Sequence, residues 1–430
     1  MVSLPDIPTT PASLSYIPPI QYEHRSAQRA YFAERLRHLQ FHPRSAARGA
    51  SRFVGRMIDA GGRRNVARIV IVGGGIVGLS TARAALKRGH AVTLLERGAL
   101  PNRQGASYDQ HRMIRMHYGA HEGYMRMVGQ AFEAWERVWD DLGARHFADV
   151  GGLAVSLAPG DYTDVTRDAF ERAGVAHEVL DAAAVERLCP HLTVPERAWG
   201  LVAHPGGALY ADRIVDGLIA HLGAQGADLR PETPAVAVDA AAGRVTLASG
   251  ETVEGDLVVV AAGAWLPELL PGEFGQQPTW RQALCYVEPP ERYRARWSTA
   301  PAIVVIGDCG IYTLPSSDGT GLKFGNGPHR REARPSEGFG ADLAEADSII
   351  AAFSPYLRDS GEYRPLRMQV GYYAMDPSRR FRFTRDGRRV VVTNCDGQMF
   401  KFGPLIGEEL VASFEGQRSF DDLARWAAGH

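Results

Sequence analysis

The sequence predicts an α/β protein of two domains or more, organised around a parallel sheet. Three observations carry this reading. With 430 residues, 45% of them apolar and 23% charged, the chain can bury more core than one domain needs. An apolar run, Ile69-Val70-Ile71-Val72, leads into closely spaced glycines and a helical stretch, and a second run, Ala91-Val92-Thr93-Leu94-Leu95, follows. That is the order strand, turn, helix, strand. Two further runs of the kind a doubly covered sheet buries, Leu257-Val258-Val259-Val260-Ala261 and Val390-Val391-Val392-Thr393, come much later, each leading to a glycine-containing turn and a helix.

Bulk properties narrow the function classes. A formal net charge of -1 gives no general attraction to polyanions, and no apolar run is long enough to cross a bilayer. Neither nucleic acid nor membrane is expected as a partner. Cys189, Cys285, Cys309 and Cys395 are far apart and form no C-x-x-C pair, which fits neither a zinc site nor a secreted disulfide scaffold, so a cytoplasmic location is expected. Residues 1–66 differ from the rest, with Pro5, Pro8, Pro11, Pro18 and Pro19 and then ten arginines against Asp6, Glu23, Glu34 and Asp59. They lack the apolar segment and cleavage site of a secretory signal and read as an appendage with one helix around residues 27–39. Residues 124–142 place Tyr124, Met127, Val128, Phe132, Trp135 and Trp139 at helical spacing, as core packing does.

The glycines carry the first chemistry. Gly73-Gly74-Gly75-Ile76-Val77-Gly78 contains G-x-G-x-x-G between an expected strand and an expected helix. Gly73 allows the tight turn, Gly75 lets the backbone approach a pyrophosphate, and Gly78 lets the helix pack on the strand, so that N–H groups at Ile76 and Val77 can meet phosphates. Glu96 lies eighteen residues past Gly78, at the end of the second strand, where an acid can accept from a ribose hydroxyl. Gly263, in the turn after the Leu257 run, completes the expected dinucleotide contacts. This pattern alone does not separate FAD from NAD. A nicotinamide enzyme usually continues straight into further βαβ units, whereas here Leu257 comes 162 positions after Leu95.

That interleaving resembles the D-amino acid oxidase superfamily of flavoenzymes, in which a substrate domain is threaded through the FAD domain. Within it, the stretch from about residue 68 to 414 resembles monomeric sarcosine oxidase and N-methyltryptophan oxidase. Four segments carry the likeness: Ser107-Tyr108-Asp109-Gln110-His111-Arg112-Met113-Ile114-Arg115 with Tyr118-Gly119, then Gly310-Ile311-Tyr312, Gly321-Leu322-Lys323-Phe324-Gly325 and Phe400-Lys401-Phe402. The resemblance implies a Rossmann-like FAD-binding domain over residues 67–146, 231–272 and 376–430. It implies an antiparallel-sheet substrate domain over residues 147–230, interleaved with FAD-domain elements, and over 273–375. Residues 1–66 stay outside.

Carried over, the resemblance implies that Arg115 and Lys401 bind a substrate carboxylate, with Lys401 also beside the cofactor, that Arg112 lies near the flavin, and that Lys323 activates oxygen. Only Lys87, Lys323 and Lys401 are lysine among 48 basic residues, so two of three fall on implied functional positions. An ammonium is a compact point charge, which a planar guanidinium is not. The chain also departs from these enzymes. Tyr108 stands where they have a histidine beside the flavin, Gly371 where they have the cysteine that tethers it, and Asp396-Gly397-Gln398-Met399 replaces a small, glycine-rich stretch. Non-covalent FAD and a substrate other than sarcosine are therefore expected.

The expected activity is FAD-dependent oxidation of the C–N bond of a small amino acid or N-alkyl amino acid, with oxygen as acceptor. Two alternatives stay open: a dehydrogenase with another acceptor, and a flavin-binding subunit without turnover. His111, His117 and His121 lack a fourth ligand at plausible spacing, so no metal is expected. No nucleophile elbow or P-loop supports hydrolysis.

Overall fold

The structure, a computed structural model, describes residues 66–430. All of the N-terminal appendage but its last residue, with the expected helix over 27–39, lies outside the described residues. The strand Arg68–Val72 sits inside a six-stranded sheet, flanked by Ala91–Leu95 and Leu257–Val260. Asp228–Arg230 lies beyond the former, Arg389–Thr393 and then Arg382–Asp386 beyond the latter, and only Arg382–Asp386 runs antiparallel. The unbroken apolar run of the first strand follows from burial on both faces. Ile69 and Ile71 pack into the large helical core, whereas Val70 and Val72 pack into a second core with Val245, Leu266 and Leu269.

The helix Ile76–Lys87 crosses Gly403–Phe414 at close range: a Cβ on Gly407 would stand 2.5 Å from the Ser80 backbone. The helix Glu122–Leu142 buries Tyr124, Met127, Val128, Trp135 and Trp139 and half-buries Phe132, as its spacing predicts. Its aromatic face also positions the site, because Trp135 Nε1 donates to the Lys401 carbonyl at 2.8 Å.

The second main sheet is antiparallel. Its long central strand, Thr279–Glu288, pairs with Leu322–Asn326, Arg331–Glu332 and Arg364–Ala374, and Ile311–Leu314 lies beyond Leu322–Asn326. Side chains alternate along the central strand. Ala283, Cys285 and Val287 join the core that contains Ile349 and Phe353 of the helix Leu343–Phe353, leaving Trp280, Gln282 and Leu284 for the opposite face. A parallel sheet with helices on it and an antiparallel sheet threaded into the same chain are the architecture the sequence predicts.

Candidate active site

The glycine turn, the end of the second strand and the turn after Leu257–Val260 wall a cavity of about 410 Å³. Gly73, Gly75, Ile76, Val77, Glu96 and Gly263 all line it. Gly78 lies one turn into the helix, where a Cβ would stand 1.9 Å from the Gly73 carbonyl oxygen. Gly73 has φ +114° and its Cβ would meet the Ala261 carbonyl at 2.4 Å, so the turn closes only with glycine at both places. Gly75, at the helix N-cap, offers no side-chain cap, and the Ile76 N–H donates to Ser107 Oγ at 2.9 Å. Glu96 is buried and braces the turn: it accepts from Gly74 N at 2.7 Å, from Asn102 Nδ2 at 2.9 Å and from Gly98 N at 3.0 Å. A glycine-built cradle at a helix N-terminus, with an acid at the end of the second strand, fits a dinucleotide such as FAD.

A second cavity, of about 810 Å³, adjoins the first and shares Tyr108, Arg112, Tyr373 and Phe400 with it. The antiparallel sheet forms one wall. Trp280 stands opposite Tyr373, Gln282 opposite Gly371, and Leu284 opposite Gln369, which puts all six on the cavity face. Gly371 thus lines the space, with nothing within 4 Å of where a Cβ would be.

Arg115 and Lys401, 286 positions apart, meet over one ring. The Arg115 guanidinium carbon lies 4.7 Å from the Tyr118 centroid and Lys401 Nζ 5.8 Å from it. Arg115 donates to the Tyr162 hydroxyl at 3.0 Å, and that hydroxyl donates to the His117 carbonyl at 2.8 Å. Neither cation has a carboxylate partner among the described residues. Asp396 lies close, but Arg379 takes it at 3.1 Å and Gln398 Nε2 donates to it at 2.5 Å. Burial, then the charge of Arg115, pushes the Lys401 ammonium well below its ordinary value, with Asp396 opposing. Two basic groups facing a cavity without a carboxylate partner among the described residues make an anion site, Lys401 being favoured in its charged form once an anion arrives. Lys401 sits in a turn of 3₁₀ helix, Met399–Phe402, and lines this second cavity and not the first.

Lys323 also lines the second cavity, but it is not a bare cation. Its Nζ pairs with Asp109 Oδ2 at 2.9 Å and donates to the His111 carbonyl. Asp109 is a buried hub: Arg112 donates to it, Tyr286 donates its hydroxyl at 2.5 Å, and Arg367 lies 3.7 Å away. Burial drives the Lys323 ammonium down to about 8, against the pull of Asp109. Burial acts to raise the Asp109 carboxyl, yet Lys323 and Arg112 outweigh it and hold the group far below the carboxylate range. Arg112 also donates to the Ala106 carbonyl at 2.7 Å, and Tyr108, half-buried under Arg103, completes the passage between the cavities.

Two of the three clustered histidines are core groups, and His121 is exposed. His111 and His117 are buried, each with Nε2 on a carbonyl oxygen, and burial pushes both down to about 3. Among the described residues no cluster suits a metal ion. Sequence reasoning missed Asp109, Ser107, Tyr162 and the pair Arg379 and Asp396. Asp109 lay within a quoted segment, and an acid beside two arginines was its signal. Tyr162 had none, since its contacts to Arg115 and His117 span 47 and 45 positions.

A nucleotide-binding parallel sheet whose cavity opens onto a cation-lined chamber beneath an antiparallel sheet defines an oxidoreductase of the flavoprotein class. Residues 68–413 match the family of FAD dependent oxidoreductases, and the chain belongs to that family. Human peroxisomal sarcosine oxidase is 24% identical over 353 residues, covering 79% of this chain and 90% of the relative. N-methyl-L-tryptophan oxidase of Yersinia pestis (strain Pestoides F) is 25% identical over 350 residues, covering 79% and 92%. Among solved structures, NikD, an unusual amino acid oxidase, superposes with a TM-score of 0.70 at 22% identity, covering 85% of this chain and 98% of that one. A modified fructosyl peptide oxidase from Aspergillus nidulans gives 0.71 at 21%, covering 84% and 94%. At these identities the two structures speak to the fold.

Proposed function

We propose that the protein oxidises the C–N bond of an amino acid or N-alkyl amino acid and passes the electrons to oxygen, giving hydrogen peroxide. The observation that carries this is the pair Arg115 and Lys401, two cations over the Tyr118 ring with no protein carboxylate between them. The names of the sarcosine and N-methyltryptophan relatives point to the same substrate class. Gly73, Gly75, Ile76, Val77, Glu96 and Gly263 would hold FAD, which would supply the acceptor for a hydride. Arg115 grips the carboxylate through its fork of N–H donors, and Lys401 adds a point charge. The same cations disfavour a substrate ammonium and so favour the neutral amine, whose lone pair assists loss of hydride from the α-carbon. The oxidised substrate leaves as an imine that water hydrolyses. Tyr162 and Tyr118 hold Arg115 in place, and Arg112 with Tyr108 shapes the passage between the two cavities.

Anaerobic mixing with a panel of amino acids and N-methyl amines tests this directly. Carboxylate-bearing amines are expected to bleach the flavin absorbance. Bleaching only by amines without a carboxylate would overturn the assignment of the clamp.

A dehydrogenase with an acceptor other than oxygen is the second reading, and the Asp109–Lys323 pair at 2.9 Å favours it, because a neutralised ammonium stabilises developing charge less than a bare one. Aerobic against anaerobic reoxidation separates the two.

FAD is held without a covalent bond. Gly371 has room for a side chain but no thiol, and burial pushes the Cys395 thiol up to about 11, so that cysteine is not a ready thiolate, while Cys309 Sγ is turned to the Ile306 carbonyl at 2.6 Å. Acid precipitation is expected to leave a yellow supernatant and a colourless pellet. A yellow pellet that survives acid and heat would contradict the non-covalent assignment.

A further inference from the structure

We propose that the substrate carries a second anionic group besides its α-carboxylate, and that Arg330 receives it at the Trp280 end of the cavity. The substrate class is then an amino or N-alkyl amino acid with an acidic side chain. This rests on the carboxylate clamp of Arg115 and Lys401.

The balance of charge in the cavity wall is the first argument. Six cations line it, and three have a carboxylate partner: Lys323 and Arg112 share the single charge of Asp109, and Arg379 pairs with Asp396. Arg115, Lys401 and Arg330 have no carboxylate partner among the described residues. Against these three stands one lining acid without a cation, Asp308, which is exposed and accepts from the Tyr162 backbone N–H at 3.0 Å. A substrate whose amine is neutral and whose only charge is one carboxylate would leave the wall with a surplus positive charge. A second anion reduces that surplus.

Placement is the second argument. Trp280 and Tyr286 lie six residues apart on one strand, both facing the cavity side, so the Trp280 end is on the order of 20 Å from the Lys323 end. The Arg330 guanidinium sits 5.8 Å from the Trp280 ring centroid and against Tyr373, which in turn touches the space beside Gly397, four residues before Lys401. The head group is thus held over aromatic faces at the Trp280 end of the wall. Its lack of a carboxylate partner among the described residues does not reflect a shortage of acids nearby, because the next residue, Arg331, pairs with Glu337 at 2.9 Å. The cavity, at about 810 Å³, leaves room for a side chain that reaches from the clamp toward Arg330.

The test uses the FAD-loaded full chain and unreactive probes. Succinate, glutarate, adipate and pimelate are titrated against the monocarboxylates of the same chain length, with binding read from the shift of the flavin spectrum. For at least one length the dicarboxylate is expected to bind roughly 10–100-fold more tightly, the range of one charge-assisted hydrogen-bonded contact. Arg330→Gln should bring that ratio to about one, and Arg330→Lys should keep part of it. A wild-type ratio near one at every length, or an undiminished ratio in Arg330→Gln, overturns the proposal. Arg115→Ala reports separately on the clamp, since it should weaken both members of each probe pair. If it weakens neither, the clamp reading falls, and the ratio still decides for or against Arg330.

Discussion

Lys323→Met is expected to leave anaerobic reduction by substrate within a few-fold of wild type while slowing reoxidation by air roughly 10²–10³-fold, the range for removal of one preorganised electrostatic contact. Oxygen gains negative charge as it is reduced, and a fixed ammonium stabilises that charge without touching amine oxidation. The fold should tolerate the change, because Arg112 and Tyr286 still satisfy the Asp109 carboxylate. Burial sets the Lys323 ammonium at about 8, so it is charged below that pH and neutral above it. Wild-type reoxidation should therefore slow as pH rises through about 8, and the Lys323→Met profile should be flat there. Stopped-flow mixing of reduced protein with air-saturated buffer measures both. Reoxidation of Lys323→Met at the wild-type rate would make Lys323 a structural partner of Asp109 and favour the dehydrogenase reading.

Arg115→Ala and Lys401→Ala should each raise the apparent KM for a carboxylate-bearing substrate, at a cost of about 2–5 kcal/mol for truncating one side of a buried charge contact. Lys401 adds a second observable. Its ammonium is pushed well below the ordinary value by burial and by Arg115, and an incoming carboxylate reverses that preference. Above the lowered pKa of the free protein, carboxylate binding should take up a proton and weaken as pH rises. Calorimetry in buffers of different ionisation enthalpy reads that proton directly. Lys401→Met should abolish the uptake. Normal kinetics in both alanine variants with every acidic substrate would remove the clamp and point to an amine without a carboxylate.

The part of this architecture that could be read directly is local in sequence. Ile69 to Val72 announces a strand buried on both faces because each residue is apolar, and the glycines that follow permit a turn that other residues would block at Gly73 and Gly78. The helix over Glu122–Leu142 was legible because one face repeats at helical spacing, although nothing in that spacing says that Trp135 would pin the Lys401 carbonyl. Lys323 and Lys401 stood out as rare lysines in an arginine-rich chain, and the family segments gave them roles. Their surroundings were not legible. Lys323 was expected as an oxygen-activating cation, and the structure pairs it with Asp109 across 214 positions.

By itself, then, the sequence determined the parallel dinucleotide-binding sheet and the glycine cradle with Glu96, because each follows from backbone sterics or from a periodicity within twenty or so residues, whereas Arg115, Lys323 and Lys401 were singled out by the family resemblance. Only the tertiary structure decided which charges stay unpaired. A two-residue alternation tells that Trp280, Gln282 and Leu284 share a face, but not that Gly371 and Tyr373 come opposite them or that Arg330 lies over the Trp280 ring. Whether a cation is neutralised depends on an acid within a few ångströms in space, and the acids that settle it here, Asp109 for Lys323 and Asp396 for Arg379, reach their partners only when the chain crosses itself.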